Sequence, residues 1–166
     1  GAALYKQGAG TWTLNGANTY TGTTVLDQGV LILGSTGGPA IVGAVQMGAG
    51  NTNQPHLRMA AADQFGPGVV MSGGNGTNNY ARFDLQGFNQ TLAGLVSTNN
   101  ALVVQNERYG GGGTSSAATL TLNGAGTYSH TGYLRDEDDG GRTYQLSIVK
   151  EGTGTQTFSG GYINYW

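Results

Sequence analysis

The feature that most constrains the fold is a strand-and-turn unit that occurs near both ends of the sequence. Leu4–Leu14 (LYKQGAGTWTL) aligns residue for residue with Ile148–Phe158 (IVKEGTGTQTF), and Thr119–Tyr128 is a looser copy of Thr11–Tyr20. Repetition of short units is typical of solenoids, in which each unit packs only against its neighbours. The sequence therefore predicts an all-β fold, a single-stranded β-helix (β-solenoid), as one domain over residues 1–166. Repeat copies are placed at 4–33, 119–128 and 146–160.

Alternation of residue types predicts which side chains face the interior. In Thr11–Leu14 the apolar residues Trp12 and Leu14 alternate with threonine, a period of two that indicates a strand with one buried side. The same alternation predicts inward positions for four later residues: Leu57, Met59, Phe83 and Leu85. Helical periodicity is essentially missing. At about 20–25 residues per coil, the length predicts roughly six to seven coils.

Composition excludes several classes of protein. The chain has 32 glycines among 166 residues without a period of three, so collagen is excluded and glycine is expected at the corners of coils. Only 10% of residues are charged and the formal net charge is −2, which argues against a nucleic-acid partner. No apolar run approaches the roughly 18 residues of a membrane span. With no cysteine, disulfides and thiolate chemistry are excluded.

The N-terminal unit also resembles a known repeat. Its pattern, K-x-G-x-G-T-x-T-L-x-G-x-N-T-Y-T-G-x-T-x-V-x-x-G-x-L, is similar to the autotransporter-associated β-strand repeat of bacterial surface proteins. The matching residues are Lys6, Gly8, Gly10, Thr11, Thr13, Leu14, Gly16, Asn18, Thr19, Tyr20, Thr21, Gly22, Val25, Gly29 and Leu31. The segment Phe83–Leu95 resembles the sequence that separates such repeats. The resemblance implies a passenger-type β-helix that is secreted or displayed on a bacterial cell surface.

One loop, Arg135–Arg142, gathers carboxylates. Its acidic residues are Asp136, Glu137, Asp138 and Asp139. Several oxygens converging at about 2.5 Å would hold Ca²⁺, but the loop lacks the alternate-residue spacing of an EF-hand. A solvated loop is favoured, with a weak Ca²⁺ site and a catalytic site as alternatives. No cofactor is predicted.

The other ionisable residues are scattered. The two histidines, His56 and His130, are expected at surface or corner positions. A Ser-His-Asp triad is not excluded by counting residues, but the G-x-S-x-G elbow is absent. The remaining acids fall at one per coil or fewer, which favours corners and ladders over a paired acid–base site: Asp27, Asp63, Asp84, Glu107 and Glu151.

Aromatic residues cluster near both ends and suggest an interface. Tyr5, Trp12 and Tyr20 lie in the first unit, and Tyr162, Tyr165 and Trp166 lie among the last five residues. Neither terminus carries a charged cap, and related strand motifs at the two ends could pair between molecules, head to tail. The favoured function is a non-enzymatic extracellular building block that stacks into a filament or surface stalk. The alternatives are an adhesin segment that binds surface glycans and, third, a β-helix enzyme acting on polysaccharides.

Overall fold

The computed structural model describes seven stretches of the chain: residues 1–48, 54–73, 80–98, 101–107, 116–136, 144–160 and 163–164. Within them the secondary structure is entirely strand, in 17 short elements without a helix. Every strand pairing is parallel. The predicted all-β solenoid is confirmed.

The strands form three sheets that the chain visits in turn. Sheet 1 contains β1 (Leu4–Lys6), β3 (Thr24–Leu26), β5 (Val45–Met47), β7 (Val70–Gly73), β10 (Gly94–Ser97), β13 (Thr127–His130) and β16 (Thr155–Phe158). Sheet 2 contains β2 (Thr11–Leu14), β4 (Val30–Leu33), β6 (His56–Met59), β8 (Ala81–Asp84), β11 (Leu102–Gln105), β14 (Tyr133–Arg135) and β17 (Ile163–Asn164). Sheet 3 contains β9 (Gln90–Leu92), β12 (Ala118–Leu122) and β15 (Leu146–Lys150).

Parallel, in-register pairing stacks equivalent residues into rows along the solenoid. The inward row of sheet 2 runs through Trp12, Leu31, Leu57, Phe83, Val104 and Leu134. The inward row of sheet 1 runs through Lys6, Leu26, Met47, Gly73, Ser97, His130 and Phe158. These rows form much of the hydrophobic core, and the predicted inward positions Leu57, Met59, Phe83 and Leu85 are all buried.

Trp12 differs from its prediction in burial. Its register with Leu31 places it in the inward row of sheet 2, as expected. It is nevertheless 46% exposed, whereas Leu31 is fully buried. The reason is that β2 is the outermost strand of sheet 2 and pairs only with β4 among the described strands.

Side-chain amides complete the third side of the early coils, where sheet 3 has no strand. Gln64 is fully buried; its Nε2 donates to the carbonyl of Ser35 at 2.9 Å and its Oε1 accepts from the amide of Ser35 at 2.8 Å. The Oε1 of Gln90 in turn accepts from the amide of Gln64 at 2.9 Å. Two glutamines thereby supply hydrogen bonds that a strand ladder would otherwise provide.

The two end copies of the repeat occupy different corners of the solenoid. In the first copy, the chain passes from β1 in sheet 1 to β2 in sheet 2. In the second copy, it passes from β15 in sheet 3 to β16 in sheet 1. The turn glycines Gly8 and Gly152 keep the same left-handed conformation, with φ of 73° and 66°. The repeat is therefore a corner unit (strand, K-x-G turn, strand) that fits more than one side.

Candidate functional site

The outward side of sheet 2 carries four of the eleven charged residues that the structure describes: Arg58, Arg82, Asp84 and Arg135. One outward row places His56, Arg82, Val103 and Tyr133 in register on successive strands. The neighbouring row does the same with Arg58, Asp84, Gln105 and Arg135. Since only 10% of the chain is charged, this concentration on one face marks it as the candidate site.

Asp84 is the centre of the hydrogen-bond network on this face. Its side chain is fully buried, and burial raises the pKa of its carboxyl group. Hydrogen bonds partly counter that effect: Oδ1 accepts from the amide of Glu107 at 2.9 Å, and Oδ2 accepts from Nε2 of Gln86 at 2.9 Å. Both oxygens therefore have protein partners, and the carboxyl group is shielded from solvent.

Gln105 connects Asp84 to Arg135. Its Oε1 accepts from Nε and Nη2 of Arg135 at 3.0 and 2.7 Å. Its Nε2 lies 3.4 Å from Oδ2 of Asp84 and also donates to the Glu107 carboxylate. The carboxylates of Asp84 and Glu107 thus converge on one buried side-chain amide.

His56 is held in its neutral form on the same face. It is 5% exposed, which corrects the expectation of a surface or corner position. Burial, followed by the charges of Arg58, Arg82 and Arg135, lowers the pKa of His56 to about 3. Since Nη2 of Arg58 lies 3.1 Å from Nδ1 and arginine only donates, Nδ1 accepts and the ring proton is on Nε2. The 3.9 Å from Nε2 to Oδ2 of Asp84 is too long for a hydrogen bond.

Beside this network lies a cleft of about 230 Å³, which we call the tyrosine–arginine cleft. Its lining residues are Tyr80, Arg82, Val103, Tyr133 and Arg135. The rings of Tyr80 and Tyr133 meet edge to face, with centroids 5.5 Å apart. The groups that line the cleft are guanidinium, phenol and methyl groups, which suit ligand binding.

The second histidine is buried in the core. His130 is 1% exposed, which again corrects the predicted surface or corner role; the reason is its place in the inward row of sheet 1. Its Nδ1 lies 2.9 Å from Oγ of Ser97, and that oxygen also accepts from the amide of Thr131 at 3.1 Å. No carboxylate of the described residues bonds this serine–histidine pair, so a triad is not assembled there.

The other predicted site residues are dispersed or lie outside the described residues. Of the four acids of the charged loop, only Asp136 is described; it is buried, and its Oδ1 accepts from the amide of Leu146 at 2.6 Å. No cluster of three or more potential metal ligands occurs in the described stretches. The remaining acids of that loop, Glu137, Asp138 and Asp139, fall outside those stretches.

The aromatic residues of the first unit are not equivalent. Tyr5 is 61% exposed on the outward side of β1, and Trp12 lies 5.6 Å from the ammonium of Lys6. Tyr20 is half-buried, and its hydroxyl shares a 2.7 Å hydrogen bond with Oγ1 of Thr24. Their predicted C-terminal counterparts, Tyr162, Tyr165 and Trp166, are not among the described residues.

Sequence reasoning missed the tyrosine–arginine cleft. The local signal was present, because Tyr80 and Arg82 alternate with the inward residues Ala81 and Phe83. The partner strand was not identifiable, because nothing in the sequence alone sets Tyr133 in register with Val103.

A family model described as Passenger-associated-transport-repeat matches residues 4–33 and 148–163. The match confirms the resemblance of these two stretches to the autotransporter-associated repeat. The looser copy at 119–128 lies outside the matched ranges and stays a prediction. No curated protein and no solved structure matches the chain. No helix of the described residues has the length and apolar character to cross a membrane.

Proposed function

We propose that the chain is a non-catalytic structural segment of an extracellular β-solenoid and that copies of it stack end to end, as a filament or a surface stalk. The observation that carries the proposal is the exposure of Trp12 at the end of an otherwise buried row. A further coil over β2 would remove this indole from water. Complete burial of a large apolar side chain contributes about 1.5–3 kcal/mol, and Trp12, which is 46% exposed, would gain about half of that.

The two ends are compatible with each other in strand direction. β1 is the outermost strand of sheet 1 at one end, and β16 is the outermost at the other. Because all ladders are parallel, a second copy placed after β16 would continue sheet 1 in the same direction. Partly buried apolar residues pack against the core near both ends: Leu4 and Leu14 at the first, Ile148 and Phe158 at the second.

Such a contact joins different surfaces of the two copies. It therefore does not close into a dimer but propagates, with main-chain hydrogen bonds added strand by strand. A catalytic role has less support, because the buried carboxylate of Asp84 is already hydrogen-bonded by protein groups. The passenger repeat itself is typical of structural segments.

Electron microscopy and sedimentation velocity over a concentration series test this function. We expect filaments with an axial repeat of about 34 Å, which is seven strands per sheet at about 4.8 Å each. The Trp12→Lys variant should stay monomeric, since it places a charge in the interface. Gln46→Lys adds the same charge on the outward side of β5, mid-solenoid, and should still assemble. Monomers of the unmodified chain at every concentration would overturn the proposal.

A further inference from the structure

The shape of the tyrosine–arginine cleft follows from the register of sheet 2. Arg82, Val103 and Tyr133 lie side by side on β8, β11 and β14, with about 4.8 Å between neighbouring strands. Val103 is shorter than the residue on either side and is 3% exposed, so it forms the floor. A short residue between two long ones leaves a depression of about 230 Å³ on a sheet surface.

The two tyrosines form a preorganised wall. Tyr80 precedes Arg82 by two residues and reaches the same side of the sheet, where its ring packs against Tyr133 with an interplanar angle of 81°. Each ring fixes the other, yet both side chains remain half-exposed. Such rings offer a flat apolar surface together with a hydroxyl group, a combination that suits an amphipathic ligand.

The arginines make the cleft electropositive. The guanidinium of Arg82 is half-buried and has no hydrogen-bond or ion-pair partner among the described residues. The head of Arg135 is fixed by its two hydrogen bonds to Gln105. Burial is the main cause that lowers the pKa of the nearby His56, and the charges of Arg58, Arg82 and Arg135 lower it further.

From these contacts we infer that the tyrosine–arginine cleft binds one carboxylated sugar residue, of the uronic acid class, within a polysaccharide. The planar guanidinium of Arg82 matches a carboxylate through two parallel N–H···O bonds. The C–H face of the sugar ring packs against the tyrosine wall. The volume lies below the roughly 300–1,000 Å³ of drug-sized pockets, as expected for a single ring.

Other classes of ligand would contact only some of the groups that line the cleft. A neutral sugar leaves Arg82 partly desolvated without a partner, which costs affinity. A bare anion such as phosphate leaves the tyrosine wall uncovered. A nucleic-acid strand requires a run of cationic side chains, whereas the chain has a formal net charge of −2 and only seven lysines and arginines.

Titration of the full chain with D-glucuronate, followed by amide and arginine side-chain NMR signals, tests the inference. We expect saturable shifts at Val103 and at Nε–H of Arg82, and weaker or no shifts with D-glucose or acetate. Arg82→Gln should weaken glucuronate binding at least tenfold, and Tyr80→Ala should weaken it as well. Lys150→Gln removes the same charge from an exposed position on sheet 3 and should bind like the unmodified chain.

Each contrary result overturns the inference in a distinct way. Equal affinity for acetate or inorganic phosphate would show a bare anion site, and equal affinity for glucose would show that the arginines are not used. Absence of saturable shifts with every probe would show that the cleft binds none of them. If Arg82→Gln does not fold, Arg82→Lys is the second variant. It keeps the positive charge but lacks the planar guanidinium with two parallel N–H donors, so it should still bind glucuronate more weakly than the unmodified chain. Repeating the titration in the Trp12→Lys background separates sugar binding from stacking.

Discussion

The ammonium group of Lys6 donates a hydrogen bond of 3.0 Å to the carbonyl oxygen of Gln28, one coil further along. Its other two bonds go to the carbonyls of Gln7 and Gly8 in its own turn, at 3.0 and 2.6 Å. The side chain is 1% exposed, so all three donors are satisfied inside the protein. Its equivalent in the second copy, Lys150, is exposed and bonds carbonyls of its own turn, those of Glu151 and Gly152.

We predict that Lys6→Met destabilises the solenoid and that Lys150→Met does not. In the first case, three carbonyls lose a charged donor and one of them lies in the next coil, for a cost on the order of 2 kcal/mol. In the second case, the carbonyls are accessible to water, and the change should stay within about 0.5 kcal/mol. Urea unfolding of both variants measures the two free energies; equal losses would show that the bond to Gln28 contributes nothing.

The corner at Gly29 should tolerate no side chain. Its φ is 75°, and an added Cβ would lie 2.5 Å from the carbonyl oxygens of both Gly8 and Gly10. Gly8 also has a positive φ, of 73°, but a Cβ added there would meet no atom within 4 Å. Gly8→Ala therefore measures the cost of the positive φ without a steric contact. We predict a loss of about 1–2 kcal/mol for Gly8→Ala and more than about 3 kcal/mol for Gly29→Ala. Similar midpoints of thermal unfolding for the two variants would contradict the close contact.

The fold was predictable because the coils repeat and the strands alternate. Leu57, Met59, Phe83 and Leu85 could be assigned to the interior from their immediate neighbours. His130 could not be assigned to the interior in this way. The residues of Thr127–His130 are mostly polar and show no alternation, and the other members of the same inward row, such as Met47, lie far away in sequence.

The cleft was not predictable for a related reason. Its lining comes from successive coils of unequal length, since the step from Arg82 to Val103 is shorter than the step from Val103 to Tyr133. Alternation gives the side of a strand that a residue occupies, but the neighbour across the ladder depends on where each loop ends. A sequence without a constant period leaves that register open.

The side chain of Gln156, on β16, should slow hydrogen exchange at the backbone amide of Leu95, although Leu95 lies on β10, which is not adjacent to β16. Its Oε1 accepts from the amide of Leu95 at 2.9 Å and its Nε2 donates to the carbonyl of Leu95 at 3.0 Å. The intervening strand, β13, pairs with β10 only at Ser97, so the glutamine amide replaces the missing ladder bonds.

We therefore predict that Gln156→Ala costs about 2 kcal/mol, for two hydrogen bonds. Hydrogen exchange should show faster exchange at the Leu95 amide. Gln46→Ala, on the outward side of β5, should leave this amide unchanged. Unaltered protection of Leu95 in Gln156→Ala would mean that β13 can take over the pairing.

The buried imidazole of His130 should make stability depend on pH. Burial is the main cause that lowers its pKa to about 4, and its backbone hydrogen bond to Tyr133 counters only part of the effect. In the unfolded chain the pKa is about 6.5, so between these values the unfolded state binds more protons than the folded state. Neutral His130 therefore makes its full contribution to the free energy of unfolding above about pH 6.5. This contribution is lost as the pH falls towards about 4, by roughly 3 kcal/mol in total.

His130→Leu removes this titration while keeping an apolar group in the inward row. The variant gives up the hydrogen bond to Oγ of Ser97, so it should be less stable than the unmodified chain at pH 7. Between pH 7 and pH 4 the difference in free energy of unfolding between the two chains should shift by roughly 3 kcal/mol in favour of the variant, because only the unmodified chain bears the cost of keeping His130 neutral. His56 and Asp84 titrate in both chains, and their contributions cancel in the difference. Urea unfolding at pH 7 and pH 4 measures this quantity. A difference that stays constant with pH would mean that the buried imidazole accepts a proton without penalty.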